Sequence, residues 1–140
     1  MGAVHPDELI GLWDSAPFEY GVMEATMLAL LPDGRGWSEL ANAAGALHVR
    51  RLTWDVPRPG VIELRYSLSI DVSAGEREPD DEFVRARYSV GEPVGESADE
   101  KALRLSELID FARQFALKKR DVGVADDPSS ELVPYAETER

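Results

Sequence analysis

The chain has 140 residues, a formal net charge of −12 and a sequence pI of about 4.5. A hydrophobic content of 44% excludes general disorder and supports one domain with a core that needs no disulfide staple. Nucleic acid and anionic membrane surfaces are bound through basic patches, so neither is expected as a partner, and the absence of cysteine excludes thiolate chemistry.

No apolar run approaches a membrane span and no signal-peptide pattern opens the chain, so a cytoplasmic location is expected. Lys101, Lys118 and Lys119 are the only lysines, and the arginine bias suggests a GC-rich bacterial source.

Pro6-Asp7-Glu8 suits a short helical turn, with proline near the first position and acids at the start. "ELIGLWD" follows, placing Gly11 and Trp13 on a first strand. "TMLALLPDGRGWSEL" holds Pro32-Asp33-Gly34, a turn signal between two apolar runs, and reads as a hairpin. Pro57-Arg58-Pro59-Gly60 marks a second turn. Before it, Leu52, Trp54 and Val56 share a face; after it, Ile62, Leu64, Tyr66, Leu68 and Ile70 alternate with polar residues. That period of two is the clearest strand in the chain. "FVRARYSV" places Val84, Ala86, Tyr88 and Val90 on one face. Residues 73–82 and 91–101 read as acidic loops.

"KALRLSELIDFARQFALKKR", residues 101–120, supports two readings. As a helix at about 98–119 it has apolar residues at three- and four-residue spacing and a capping box from Ser97 to Glu100, giving an α+β fold. As strands it puts Phe111, Arg113, Phe115 and Leu117 on one face, and the upstream hairpins favour this. The expected organisation is a barrel domain at 1–122 and a flexible acidic tail at 123–140.

Gly11-Leu12-Trp13, Leu30-Leu31-Pro32-Asp33-Gly34-Arg35-Gly36, Trp54 and the 111–119 segment together resemble the lipocalin-like (calycin) β-barrel group, over about residues 8–120. The resemblance implies a mainly β fold: a single antiparallel up-and-down barrel with a short N-terminal helical turn. It also implies that Gly11 and Trp13 are structural, with Trp13 closing the barrel base beneath a basic residue of the last strand. Arg113 matches by position, and Lys118, Lys119 or Arg120 could serve instead. A guanidinium on an indole face contributes about 0.5–2 kcal/mol.

Trp54, Tyr66, Tyr88, Arg113 and Phe115 are the candidate ligand-binding residues, because the barrel reading turns their faces inward. An inward Arg113 would need a partner: the Trp13 face, an internal carboxylate or a ligand carboxylate. His5 and His48 are the only histidines and have no carboxylates at ligand spacing, so no metal or cofactor is expected. A Ser-His-Asp arrangement is not excluded, although no Gly-x-Ser-x-Gly elbow is present.

The functional expectation is a barrel binding an apolar or aromatic small molecule. The alternatives are a cyclase or isomerase of secondary metabolism acting by substrate positioning, and an accessory protein with a filled barrel. A small hydrophobic ligand is the expected partner, and a homodimer is an open arrangement.

Overall fold

The computed structural model describes residues 5–15, 24–91, 101–110 and 112–135. The capping-box residues 97–100, Phe111 and residues 136–140 lie outside the described residues. Among the described residues nine strands follow in chain order: β1 (Gly11–Asp14), β2 (Glu24–Leu30), β3 (Arg35–Asn42), β4 (Gly45–Arg58), β5 (Val61–Asp71), β6 (Glu76–Pro79), β7 (Phe83–Gly91), β8 (Ala102–Ile109) and β9 (Ala112–Lys119). The order β4-β3-β2-β1-β9-β8-β7-β5-β6, with β4 also paired to β5, closes the sheet on itself.

β6 and β7 both run antiparallel to β5, along Leu68–Asp71 and Val61–Arg65 respectively. They form one stave interrupted at residues 80–82. The result is a closed, eight-stranded, antiparallel up-and-down barrel, and among the described residues no helix is long and apolar enough to cross a membrane. β6 is exposed throughout, which is why its sequence reads as a loop.

The 101–120 segment is the β8–β9 hairpin, so the helical alternative is corrected over its described residues. Its local helical preference is overridden by pairing on both sides: β9 bonds to β8 and also to β1, where Trp13 sits opposite Leu117. Leu103 and Phe115 are wholly buried in the barrel interior.

Trp13 is wholly buried in the interior core. Its Nε1–H donates to the Leu9 carbonyl at 2.9 Å, at the end of the 3-10 turn Asp7–Leu9. Gly11 is required there: its φ is +153°, and a Cβ would lie 2.8 Å from the Lys119 carbonyl oxygen. The basic residue over Trp13 is Arg120, 5.8 Å from the ring centroid. The same guanidinium donates to the carbonyls of Asp7, Glu8 and Ile10 at 2.8–3.0 Å.

A second apolar cluster, Leu12, Ala29, Leu31, Trp37, Val49 and Val122, covers the outer face of β1–β4. The chain beyond β9 lies across it. Residues 124–135 are therefore not a free tail: Asp127, Ser129 and Val133 are buried. Composition misses this docking because it rests on one arginine. Arg51 donates from Nε to Asp127 at 3.2 Å and from Nη2 to Ser129 Oγ at 3.0 Å and the Val133 carbonyl, beneath the Tyr135 ring.

Candidate binding site at the barrel mouth

The end opposite Trp13 carries the polar chemistry, and a strand irregularity sets it up. In β4–β5, Leu52 pairs with Tyr66 but Arg51 pairs with Leu68, so β5 holds one extra residue. A one-residue slip reverses which face each side chain takes. Beyond the slip Leu68 and Ile70 pair with Arg51 and Val49 on the outer face, and Ser69 joins Arg50 on the inner one. The expected five-residue apolar face therefore holds only for Ile62, Leu64 and Tyr66.

Arg50 is the centre of the mouth. Its guanidinium lies 3.7 Å from the Tyr66 ring centroid. Nε donates to Asp80 at 2.9 Å, Nη1 to Asp110 at 3.2 Å, and Nη2 to Glu82. These carboxylates come from the β6–β7 break and the β8–β9 turn, where Asp110 takes a positive φ of 55°. Burial alone would raise the Asp80 carboxyl, but its bonds from Arg50 and the Glu82 N–H hold it below the usual range. Burial pushes the Tyr66 phenol up to about 12, against the Ser38 hydroxyl 3.5 Å away.

Beside this cluster a cavity of about 430 Å³ is lined by His48, Ser69, Asp71, Glu76, Arg77 and Glu78. Register pairs His48 with Asp71 and Arg50 with Ser69; Asp71 and Ser69 pair in turn with Glu76 and Glu78. His48 Nε2 and Ser69 Oγ are 2.7 Å apart. Asp71 Oδ1 accepts from the Ala74 N–H and the Ser73 hydroxyl, which with the nearby His48 lower its pKa.

The sequence candidates fall elsewhere, Tyr66 excepted. Trp54 is buried in the interior core, its Nε1–H donating to the Leu31 carbonyl at 3.0 Å. Phe115 is wholly buried in the same core, and Tyr88 is half-buried at its edge. Arg113 is exposed and does not point inward with Phe115. Between Arg104–Gln114 and Ile109–Ala112 the register shifts, so Ala112 and Phe115, three residues apart, both reach the core and Arg113 falls out of phase.

Arg50, Asp80, Glu82, Asp110 and Ser69 are the residues that sequence reasoning missed. One signal was present: adjacent Arg50 and Arg51 in a strand must place one arginine on each face.

A smaller cavity of about 240 Å³ is lined by residues including His5, Trp54, Asp55 and Glu63. Asp55 Oδ1 is buried there without a hydrogen-bond partner.

No family model matches the chain, and no curated protein or solved structure matches it. The architecture stands on its own geometry: a closed eight-stranded antiparallel barrel, consistent with a calycin-like fold and compatible with a ligand-binding cavity.

Proposed function

We propose that the protein binds a small organic cation, with an apolar or aromatic body, at the barrel mouth. The observation that carries this reading is the 430 Å³ cavity, whose lining holds three carboxylate residues, Asp71, Glu76 and Glu78, against one arginine, Arg77. The neighbouring Arg50 adds no free positive charge, because three carboxylates already engage it. Clefts lined by one sign of charge concentrate ligands of the other sign. Deeper binding is disfavoured by the packed core around Trp54 and Phe115.

Titrating isotope-labelled protein with phenethylamine, and with phenylpropionate as its anionic counterpart, tests this. Saturable amide shifts at residues 48, 69–71 and 76–78 are expected with the amine alone, weakening with salt and in Glu76→Gln/Glu78→Gln. Equal shifts with the carboxylate, or none at these residues, would overturn the reading.

A further inference from the structure

We propose that Ser69 and His48 form a nucleophile–base pair able to cleave small acyl esters in the mouth cavity. The proposal rests on the binding reading above for its substrate class: an ester with a cationic or neutral leaving group, since the lining is acidic.

Three observations converge. First, Ser69 Oγ lies 2.7 Å from His48 Nε2, within the distance at which a general base takes a hydroxyl proton. With the ring proton on Nδ1, the hydroxyl donates to Nε2. Second, both side chains line a cavity large enough for a small ester. Third, the extra residue in β5 creates this pairing: without the slip after Tyr66, Ser69 would lie on the outer face, away from His48. Asp71, the register partner of His48, is kept ionised by its bonds from Ala74 and Ser73, which places a carboxylate on the same face as the imidazole.

In the first step Ser69 Oγ bonds to the acyl carbon as its proton passes to His48 Nε2. Collapse of the tetrahedral adduct breaks the carbon–oxygen bond to the leaving alcohol, which takes that proton from His48. Water then attacks the acyl-serine, giving its proton to His48; the imidazole returns it to Ser69 Oγ, and the free acid departs. No oxidant or further reactant is needed.

Arg50, the register partner of Ser69, brings a cation to the same face, but three carboxylates engage it. Stabilisation of the oxyanion is therefore modest, turnover is slow, and covalent labelling is the sensitive readout.

The test treats the full chain with a neutral fluorophosphonate, followed by intact mass and peptide mapping. One adduct per chain at Ser69 is expected. It should be absent in Ser69→Ala and form roughly a hundredfold more slowly in His48→Gln, the scale of a lost general base. Circular dichroism confirms that both variants fold, and a Ser69→Cys variant labelled by iodoacetamide provides a second measurement of His48 assistance. An adduct at another serine, no adduct, or equal labelling with and without His48 would overturn the proposal. Cation binding by the amine titration is read independently, so either proposal can fail alone.

Discussion

Arg51 lies beneath Tyr135, its guanidinium 3.8 Å from the ring centroid, on the outside of the barrel. Tyr135 also donates its hydroxyl to Asp127, the carboxylate that Arg51 holds. This cluster fastens residues 124–135 over Trp37. Arg51→Ala leaves the Asp127 charge buried without its partner, and such losses cost about 3–5 kcal/mol. Denaturant unfolding should show this fall. Trp37 emission should shift to the red in the folded variant as the covering segment lifts, and an unchanged spectrum would mean that the segment stays docked without Arg51.

Removing Trp13 should cost about 3–5 kcal/mol, as for other large buried aromatics. Arg120→Ala should cost less, and its effect should shrink when Trp13 is already alanine, because contacting residues couple. Arg113→Ala should stay within about 0.5 kcal/mol of the parent, as expected for an exposed site. A double-mutant cycle by urea denaturation measures all three, and coupling of Trp13 to Arg113 in place of Arg120 would contradict the geometry.

Glu39 gives a pH dependence of unusual sign. Burial lifts its carboxyl above the ordinary value of 4.5, while the Trp37 Nε1–H, 3.1 Å away, works against the shift. A folded pKa above the unfolded one means that the native state holds the proton to higher pH. The contribution is therefore most favourable below 4.5 and is lost as pH rises through the folded value. Glu39→Gln should melt higher than the parent at about pH 7.5, with the gap closing as the pH falls toward the unfolded pKa.

Asp80 behaves oppositely. Its folded pKa lies below the ordinary 3.8, so its stabilisation is complete above that value and is lost as pH falls through the folded one. Asp80→Asn should lower the melting temperature at neutral pH and match the parent once both carboxyl forms are protonated in strong acid. Glu82 is half-exposed, and Glu82→Gln should cost less than about 1 kcal/mol.

Asp55 Oδ1 is buried without a donor, and Asp55 stands directly opposite Glu63 across β4–β5. Both features are unfavourable. Asp55→Thr, a good strand former, should raise stability by about 1 kcal/mol in chemical denaturation. A loss would mean that the carboxylate serves a partner in solution.

The barrel was legible where residues speak for themselves. Ile62, Leu64 and Tyr66 alternate, Pro32-Asp33-Gly34 turns, and Gly11 and Trp13 mark the first strand. What was hidden depends on register. An extra residue after Tyr66 turns Ser69 inward, and the irregularity of β8 puts Arg113 out of phase; neither leaves a local mark in the sequence. The mouth was hidden for a related reason, since Arg50 finds Asp80 and Asp110 from distant loops. The segment after β9 looked free because its acids suggested solvent, whereas Asp127 answers an arginine in β4.

The pairing of Leu12 with Lys119 has a consequence for biogenesis. While the ribosome is still making β9, β1 has a neighbour on one side only, and β8 likewise waits. A nascent chain at that stage presents two unsatisfied strand edges and an uncovered Trp37. It is most exposed to wrong pairing in the interval just before synthesis reaches the 112–135 region. Such long-range closure also makes for slow folding, so the demand for chaperone protection should fall late in translation, when the two edges meet.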